Sequence, residues 1–332
     1  GMEVATRNGN VLRLTGDWDS PVNRGLLCVH GRFEPINEIR QRISTPLLKN
    51  KRKLEPATWT QAIQTLAKKI GATDTEETGL LISTHATNEA IYLINELFRK
   101  ALKVNNIGLL NKTAPKITGK KHGVLKDIDA SDIILLIGAD PVKKQPVASF
   151  IIKRAVDRGA RLLIVDEKEN GLAPFSYMNL GYDEIDAALE IIDRAEHPVV
   201  LYGADINAKG ITGLKKINND KASFIAVESG VNTRAASAMK MNNEFKPSGV
   251  KLLYILTGEG NFDATELIKE IPKKAFVVVQ ASFMSSLAER ADLVLPAAIW
   301  SERSGSITNT EGRVQQVNKA VEPLGEAKAD WE

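Results

Sequence analysis

Residues 132–166, "DIILLIGADPVKKQPVASFIIKRAVDRGARLLIVD", contain the pattern that decides the fold. Two short apolar runs, at 132–138 and 161–166, flank a stretch whose apolar residues recur at helical spacing. Runs that are apolar on both faces are typical of parallel strands buried between helices, and a parallel pair needs a crossover connection. The stretch therefore predicts a strand–helix–strand unit of a doubly wound α/β protein.

The same alternation of strand and helix continues over most of the chain after residue 55. Amphipathic helices are predicted over 58–70, with Thr58 as N-cap, and over 87–102, with Asn88 as N-cap. Eight strands could share one sheet, but the length of the chain favours two lobes with separate cores. The eight buried strands are expected at residues 79–84, 132–138, 161–166, 198–203, 223–228, 251–258, 275–280 and 292–296.

Up to about residue 50 the chain is instead rich in turn residues. The segment "RNGNVLRLTGD", residues 7–17, predicts a β-hairpin with Asn8 and Gly9 in its turn. We therefore expect a small β-rich region before the two lobes.

Composition places the chain among ordinary globular proteins. Of its 332 residues 43% are hydrophobic and 26% charged, its formal net charge is +3, and it has one cysteine. A single cysteine excludes a disulfide framework and suits a reducing compartment, so a cytoplasmic location is expected. No apolar run approaches the roughly 20 residues that span a bilayer. The basic run "KNKRK", residues 49–53, has no interleaved aromatic residues, so a solvated loop is favoured over a nucleic-acid site.

Three of the predicted strands end in similar sequences, "LLIGADP" (135–141), "VLYGADI" (200–206) and "ILTGEGN" (255–261). Ligands of doubly wound sheets bind at the carboxyl ends of strands, where glycine lets the backbone approach a phosphate. The alternative is that the glycine makes the turn and the acid caps the next helix. Three similar loops favour a nucleotide-type ligand. No G-x-G-x-x-G or P-loop motif is present, so a standard Rossmann dehydrogenase or P-loop enzyme is not indicated.

The sequence contains no pattern that indicates a nucleophile or a metal cluster within the chain. "SERSGS" is not a G-x-S-x-G elbow. The four histidines (His30, His85, His122 and His197) lack metal-ligand spacing, and each is expected at the surface or the edge of the core. We predict no catalytic residue.

Residues 301–331, "SERSGSITNTEGRVQQVNKAVEPLGEAKADW", resemble a known family. They are similar to the segment "E-x-x-G-T-F-x-N-x-E-G/R-R-x-Q … P-x-G-x-A-x-x-D-W" of the molybdopterin oxidoreductase superfamily. That superfamily includes the formate dehydrogenase alpha chain and the large G-type (75 kDa) iron–sulfur subunit of respiratory complex I. "ERADLVLPAAIW" (289–300) and "DIDASDIILLIGADPVKKQPV" (127–147) resemble further elements of the family, and the resemblance covers essentially the whole chain in order. It implies two doubly wound parallel-sheet lobes preceded by a remnant of an iron–sulfur domain.

The lone Cys28 lies in "NRGLLCVHGRF", residues 23–33. That stretch resembles the family's "N-x-G-x-L-C-x-K-G-R-F", which carries the fourth cysteine ligand of a [4Fe–4S] cluster. The resemblance thus implies that Cys28 is a metal ligand and that three further cysteines precede residue 1 in a longer parent polypeptide. The alternative is a small, half-buried packing residue.

The family's other cofactor is a pterin guanine dinucleotide bound between the lobes. By resemblance, Asn309 and Arg313 would lie near it, and six residues of the strand-end loops would line it. These six are Gly138, Asp140, Asp166, Gly258, Glu259 and Asn261.

Three departures from the family pattern weaken the expectation of molybdenum chemistry. In formate dehydrogenases a cysteine or selenocysteine, followed by histidine, ligates the metal after the "T-N-E-E-x-Y" helix, whereas "NNIGLLNKTAPK" (105–116) has neither. Asn111 and Lys112 would be poor ligands for a soft, high-valent metal. "VDEKEN" (165–170) has Lys168 where the family's "V-D-P-R-x-T" has the phosphate-binding arginine. The segment before the strand at 198–203 also lacks the long insertion of full catalytic subunits.

The resemblance suggests a division of the chain into four segments. Residues 1–50 would be the C-terminal part of a [4Fe–4S] domain, and 51–125 the first part of the first lobe. Residues 126–245 would form the second lobe, and 246–332 would return to the first.

Together these features predict a piece of an electron-transfer and scaffold subunit in a NADH- or formate-oxidising complex. It would have no molybdenum chemistry of its own and would be bound to other subunits, through which it would reach a membrane. One alternative is a molybdopterin-dependent oxidoreductase that binds the pterin guanine dinucleotide. Another is a sensor that binds a free nucleotide in the inherited cleft.

Overall fold

Two β-sheets form the framework of the chain in a computed structural model, which describes all of residues 1–332. One sheet has seven strands and the other six, and two separate two-stranded hairpins complete the β-structure. The strands are β1 (Met2–Arg7), β2 (Asn10–Gly16), β3 (Leu47–Asn50), β4 (Lys53–Pro56), β5 (Thr78–Ile82), β6 (Asn106–Leu109), β7 (Lys121–His122), β8 (Ile133–Ile137), β9 (Arg161–Val165), β10 (Met178–Leu180), β11 (Val199–Gly203), β12 (Ser223–Val227), β13 (Leu252–Gly258), β14 (Phe276–Ala281), β15 (Leu293–Pro296), β16 (Gly305–Thr308) and β17 (Val314–Val317).

Eleven α-helices connect these strands. They are α1 (Val29–Phe33), α2 (Trp59–Gly71), α3 (Asn88–Asn95), α4 (Leu125–Asp129), α5 (Pro141–Lys144), α6 (Pro146–Asp157), α7 (Ile185–Asp193), α8 (Ala208–Lys216), α9 (Thr233–Ala238), α10 (Thr265–Glu270) and α11 (Ser286–Arg290). A π-helical turn, Glu96–Ala101, continues α3, and three-residue 3₁₀ turns occur at Thr75–Glu77, Ala173–Phe175 and Tyr182–Glu184. None of the helices combines the length and the apolarity that crossing a bilayer requires.

The six-stranded sheet is parallel throughout, with strand order β10-β9-β8-β11-β12-β7. Alternate residues of its central strands enter two different cores: Leu135 packs on one face with Leu163, and Leu136 on the other with Leu162. Both faces are therefore buried, which is the reason its strands are apolar at consecutive positions.

The seven-stranded sheet has the order β4-β3-β15-β14-β13-β5-β6. Its five strands from β15 to β6 are parallel, whereas β3 and β4 form an antiparallel edge. Here too consecutive residues alternate between two cores, with Leu80 and Tyr254 on one face and Leu81 and Ile255 on the other.

This architecture confirms the predicted fold class of two doubly wound lobes after a small β-rich region. All eight predicted strands form, four in each sheet. The prediction missed seven short strands, β3, β4, β6, β7, β10, β16 and β17, since two to four residues carry too little periodicity to be recognised. The six-stranded sheet is built from residues 121–227, and the seven-stranded sheet from 47–109 and 252–296. The boundaries at 50, 125 and 245 stay predictions, and the first of them falls between β3 and β4.

The predicted helix N-termini are reproduced with one correction. Thr58 caps α2 in a capping box with Gln61. The cap of α3 is Thr87 rather than Asn88, because Thr87 has extended backbone and its Oγ1 accepts the N–H of Ala90 at 3.3 Å. The Asn88 side chain instead donates to Ser306 of the C-terminal hairpin at 3.1 Å, a long-range contact that no local pattern contains.

Both predicted turns of the N-terminal part are present. Asn8 and Gly9 have positive φ of 51° and 75°, as the tight turn between β1 and β2 requires. Of the basic run only Lys51 and Arg52 make the turn between β3 and β4, where both are exposed as expected of a solvated loop. Lys49 and Lys53 lie in the two strands themselves.

Candidate functional site

A cleft of about 610 Å³ opens between the two sheets at the carboxyl ends of their strands. Its walls are the loops after β8, β9, β11 and β12 on one side and the loops after β5, β6 and β13 on the other. Parallel strands place all their carboxyl ends at one edge, so loops far apart in sequence meet here. Four of the eight predicted dinucleotide residues line the cleft: Gly138, Asp140, Asp166 and Asn261.

Close backbone approach explains the first glycine of this site. Gly138 has φ of +54°, and a Cβ there would lie 2.6 Å from the Ile206 Cα. A Cβ at Gly203 would lie 2.3 Å from the carbonyl oxygen of Gly138. The two glycines are thus required by the packing of the β8 and β11 ends against each other, without reference to a ligand.

Asp140 and Asp166, the two predicted acids that line the cleft, are held by neighbouring groups of the same wall. Asp140 Oδ1 accepts the N–H of Val142 at 3.1 Å and caps α5, and its Oδ2 lies 3.0 Å from the Lys143 ammonium group. Asp166 Oδ1 accepts the N–H of Lys168 at 3.0 Å. Asp140 therefore has the helix-capping role that was the alternative to ligand binding.

The charge of the cleft is close to neutral and slightly negative. Its walls contain four lysines, at 112, 143, 144 and 168, and five carboxylates, at 140, 166, 169, 205 and 263. Two pairs compensate each other, Lys143 with Asp140 and Lys168 with Asp205. After these pairs are set aside, the walls retain two ammonium groups and three carboxylates that have no ion-pair partner. This excess of negative charge disfavours a ligand that carries a pyrophosphate.

His85 is a cleft residue that sequence reasoning did not single out. It follows β5, lines the cleft, and meets the ring of Phe262 edge-on with the ring centroids 6.2 Å apart. Burial, assisted by the Arg303 guanidinium, lowers the pKa of His85 below its usual range, so its imidazole is neutral at pH 7. The sequence did contain one signal for this role. His85 follows the end of a predicted strand by three residues, and the carboxyl ends of the strands converge on the cleft.

The loop after β6 occupies the position where the family resemblance places a metal ligand. Asn111 lines the cleft, and its Oδ1 accepts both the N–H and the hydroxyl of Thr84 at 3.0 Å. The neighbouring Lys112 is a cation and offers no lone pair while charged. No group of three or more His, Cys, Asp or Glu side chains is arranged to hold a metal ion anywhere in the chain. The donor set of this loop does not fit a molybdenum or tungsten centre.

Gly258 and Glu259 lie outside the walls of the cleft, beneath the C-terminal segment. Glu259 Oε1 lies 3.2 Å from Arg303 Nη2, and its Oε2 accepts the N–H of Trp300 at 3.2 Å. Arg303 also binds Asp330 at 2.5 Å, and the side chains of both are almost fully buried. Burial raises the pKa of Glu259, and Arg303 opposes that rise. Glu259 thus belongs to a buried ion network that joins the C-terminal segment to the first lobe.

Asn309 and Arg313 lie in the turn between β16 and β17 and do not line the cleft either. Asn309 Oδ1 accepts the N–H groups of Glu311 and Arg313, both at 3.0 Å, and so shapes the turn. The Arg313 side chain borders a separate surface cavity beside Trp18 and Arg154. The structure therefore divides the eight predicted residues into four that meet in the cleft and four that do not.

Cys28 lies at the start of α1, in the N-terminal part of the chain. Its thiol is free and half-buried, and its Sγ accepts the N–H of Gly31 at 3.3 Å. One thiolate cannot hold a [4Fe–4S] cluster, which takes four. The ligand role of Cys28 stays a prediction, and within this chain the side chain serves as a helix cap.

With this fold and cleft in view, family comparison identifies the chain. The model of the molybdopterin oxidoreductase family matches residues 42–210 and 194–332, and that of the molybdopterin oxidoreductase Fe4S4 domain matches residues 1–35. The chain therefore belongs to the molybdopterin oxidoreductase family. The Fe4S4 match includes Cys28.

Curated relatives of two kinds resemble it over its whole length. The alpha subunit of the F420-dependent formate dehydrogenase of Methanocaldococcus jannaschii is 24% identical, over 100% of this chain and 67% of that protein. The mitochondrial 78 kDa subunit of NADH-ubiquinone oxidoreductase from Candida albicans is 27% identical, over 99% of this chain and 49% of that protein. The corresponding 78 kDa subunit from Neurospora crassa is 26% identical, over 99% and 48%. The chain thus spans between about half and two thirds of these relatives, all of which are subunits.

Solved structures support the same fold. Acetylene hydratase from Pelobacter acetylenicus superposes with a TM-score of 0.66 over 99% of this chain and 66% of that protein, at 15% identity. A chain of the formyltransferase/hydrolase complex from Methylorubrum extorquens superposes with a TM-score of 0.57 over 85% and 96%, at 13% identity. At these identities the likeness concerns the fold alone.

Proposed function

We propose that this chain acts as a scaffold and electron-transfer component of an oxidoreductase complex and has no molybdenum or tungsten chemistry of its own. The observation that carries the proposal is the loop after β6. Asn111, the neutral polar side chain by which this loop lines the cleft, is bound by Thr84, and neither cysteine nor histidine is present in the loop. Among the two kinds of relative, this favours the role of the complex I subunits over that of the formate dehydrogenases.

The electrostatics of the cleft support the same conclusion. A pterin guanine dinucleotide carries a pyrophosphate, which is bound best by backbone N–H groups and by arginine. Here Lys168 stands in the expected arginine position and is engaged with Asp205 at 3.9 Å. The remaining unpaired charges of the walls favour a cation over an anion. The cleft thus lies where the resemblance places the pterin site, but its walls lack the positive charge that a pyrophosphate requires.

The surface of the N-terminal part supports association with other subunits. Seven of the nineteen large apolar side chains that are exposed in the structure lie in the first 39 residues, with Trp18 79% and Ile39 95% exposed. Exposed apolar side chains so frequent in one segment favour its burial in an assembly. The electron-transfer part of the proposal rests on the Fe4S4 match and on Cys28, which would be one ligand of a cluster completed by cysteines outside this chain.

Metal and pterin analysis of the protein purified from its native host, together with any subunits that accompany it, tests this proposal. Iron, molybdenum and tungsten are measured by mass spectrometry, and the pterin by its fluorescence after acid oxidation. We expect less than one tenth of an equivalent of molybdenum, tungsten or pterin for each copy of the protein. Iron should be present where the polypeptide contains the other cysteine ligands of the cluster.

A molybdenum-containing formate dehydrogenase prepared from the same host serves as the positive control, because it shows that the metal and the pterin were available. Stoichiometric molybdenum or tungsten with pterin in the present protein would overturn the proposal and favour a molybdopterin-dependent oxidoreductase.

A second candidate function, nucleotide sensing, is favoured by one observation. Lys112 and Lys144 line the cleft without a carboxylate partner, as do the aromatic side chains of His85 and Phe262, so a phosphate and a base would each find a contact, against the slightly negative net charge of the walls. GTP and GDP at millimolar concentration should then raise the melting temperature, and Lys112→Ala should remove the effect. The absence of any shift with either nucleotide would eliminate this candidate.

A further inference from the structure

A cavity of about 510 Å³ lies where the N-terminal part meets the helices α4 and α6 and the turn between β16 and β17. No residue lines both this cavity and the cleft. Its wall includes Asp129, which ends α4 just before β8 begins, whereas the cleft lies at the carboxyl end of β8. The cavity is therefore separate from the site described above.

Positive charge predominates in the lining of this cavity. Two carboxylates face four cations, and the six charged residues are Asp129, Glu311, Arg24, Lys126, Arg154 and Arg313. The Glu311 carboxylate is already engaged, since its Oε1 accepts the N–H of Leu125 at 2.8 Å. Lys126 and Arg313 are exposed and make no ion pair. An excess of fixed cations at a concave surface attracts anions.

Asp129 is the carboxylate on which the arginines converge. Arg154 donates to its Oδ1 from Nε at 3.1 Å and from Nη2 at 2.6 Å. Arg24 Nη1 lies 3.6 Å from Oδ2, and Arg158, which is outside the lining, places its Nη1 3.7 Å from Oδ1. The last two distances are too long for hydrogen bonds. The guanidinium of Arg24 thus keeps its N–H donors available to a ligand.

The backbone around Arg24 has an unusual conformation. Arg24 and Gly25 have φ of 46° and 77°, and the left-handed region is unfavourable for a residue with a Cβ. Two hydrogen bonds fix this turn, from the N–H of Arg24 to Ser20 O at 3.1 Å and from that of Gly25 to Asp17 O at 2.9 Å. Such conformations concentrate at binding sites, where they hold a side chain in position.

Trp18 supplies an aromatic surface at the rim of the same cavity. A Cβ at Gly25 would lie 2.5 Å from Trp18 Cδ2, so the indole rests directly on this glycine. The ring is nevertheless 79% exposed. A planar group bound beside Arg24 could therefore stack on the indole.

We propose that this cavity binds a phosphate monoester attached to a planar ring, with Arg24 on the phosphate and the ring stacked on Trp18. Guanidinium groups bind phosphate oxygens through paired N–H donors, and a dianion can satisfy more than one cation. Lys126 and Arg313 would add to the attraction. The volume is within the range of small-molecule sites, roughly 300–1,000 Å³.

The two parts of the ligand make separate contributions. A neutral ring would reach Trp18 but leave the cations without an anion, and a phosphate without a ring would leave the indole exposed. The site is independent of the proposed scaffold role, since neither metal nor pterin enters the argument.

Isothermal titration calorimetry on the complete chain at pH 8, in a buffer without phosphate or sulfate, tests the proposal with three matched probes. Benzyl phosphate has both parts, benzyl alcohol lacks the phosphate, and methyl phosphate lacks the ring. The monoesters are dianions at this pH, because their second pKa is about 6. We expect benzyl phosphate to bind at least tenfold more tightly than benzyl alcohol and at least fivefold more tightly than methyl phosphate.

Two substitutions separate the two contacts. Arg24→Gln keeps the length of the side chain and should weaken the binding of benzyl phosphate at least fivefold, because the phosphate loses its main partner. Trp18→Leu should reduce the preference for benzyl phosphate over methyl phosphate to less than twofold, because the stacking surface is gone. Arg313→Gln removes an exposed cation of the lining and should weaken binding about twofold.

Arg13→Gln is the control variant, because Arg13 is an exposed arginine of β2 outside the lining, and its loss changes the net charge equally. It should keep the affinity to within a factor of 1.5, and thermal melts verify that all variants are folded.

Absence of benzyl phosphate binding at millimolar concentration, equal binding of benzyl alcohol, or an affinity that falls as much in Arg13→Gln as in Arg24→Gln would overturn the proposal. A loss in Lys112→Ala without a loss in Arg24→Gln would also overturn it, since the ligand would then lie in the cleft. None of these outcomes bears on the metal content of the protein, so this proposal and the scaffold role can fail separately.

Discussion

The loops after β8 and β13 start from nearly the same sequence, "LLIGADP" and "ILTGEGN", and end in different surroundings. Their glycines, Gly138 and Gly258, have φ of 54° and 55°, so the backbone bends in the same way. Beyond the glycine, Asp140 caps a helix at the wall of the cleft, whereas Glu259 is buried against Arg303. The C-terminal segment covers the end of β13 and leaves the end of β8 open. A local motif thus determines the bend, and the element packed over it determines what the acid does.

Glu228, after β12, is a third case. It follows a strand of the same sheet as Asp140, but it caps no helix and has no cation beside it. These three acids at strand ends therefore sample three environments: a helix cap, a buried ion network, and a buried site without a cation. Substitutions that act on one environment at a time separate these cases.

The largest effect is expected in the buried ion network. Arg303→Met would leave buried Asp330 without a cation and Glu259 with only the weaker influence of Arg40, so the free energy of unfolding should fall by about 3–5 kcal/mol. Urea denaturation measures the loss. Arg303→Lys keeps the charge and should lose less, and a loss below about 1 kcal/mol in Arg303→Met would show that the network does not stabilise the C-terminal segment.

The two glycines allow a matched test of the same bend in different packing. In Gly138→Ala the new Cβ meets the backbone of Ile206 at 2.6 Å, in addition to the cost of the left-handed conformation, so a loss of about 3 kcal/mol is expected. In Gly258→Ala the nearest atom, Asp330 Oδ2, is 3.6 Å away, and only the conformational cost of about 1 kcal/mol remains. Equal losses in the two variants would mean that packing does not distinguish the loops.

The pH dependence of stability should report on Glu228. The pKa of this carboxyl is about 7 in the native state and near 4.5 in the unfolded chain, so the native state binds more protons between these values. Its contribution is complete below about pH 4.5 and is lost as the pH rises through about 7.

The unfolding free energy of the parent protein minus that of Glu228→Gln should therefore fall by about 2 kcal/mol from pH 4.5 to pH 8. This value follows from about 1.4 kcal/mol per pKa unit, reduced for solvent screening. Unfolding curves at five pH values measure it, with Glu311→Gln as the control that shows no such trend. If the parent protein instead gained stability relative to Glu228→Gln as the pH rises, the predicted sign would be wrong.

The smallest effect is expected at the helix cap. Asp140→Ala removes the acceptor of the Val142 N–H at the start of α5 and should cost about 1 kcal/mol. Lys143→Ala removes only the exposed partner of Asp140 and should cost less than about 0.5 kcal/mol. Thermal unfolding compares the two, and an Asp140→Ala loss as small as that of Lys143→Ala would show that capping does not hold this wall of the cleft.

About half of the candidate site was predictable before the structure was known. Gly138, Asp140, Asp166 and Asn261 meet in one cleft because the carboxyl ends of parallel strands share an edge. Glu259 and Arg313 are directed elsewhere by neighbours that are distant in sequence, which no local spacing encodes. Asn309 instead uses its side chain to shape its own turn. His85 was overlooked because an isolated histidine carries no pattern, although its place after β5 was visible.

The sequence alone determines the features that depend on residues close together in the chain. These are the eight buried strands, the amphipathic helices and the tight turn at Asn8 and Gly9, and its motifs also indicate the family. Periodicity and turn preference are short-range properties, so they can be recognised without coordinates. The tertiary structure decided which strand-end acid caps a helix, which is buried beside arginine and which is buried without a cation. Those roles depend on charge and burial summed over segments far apart in the chain, and only the folded chain brings them together.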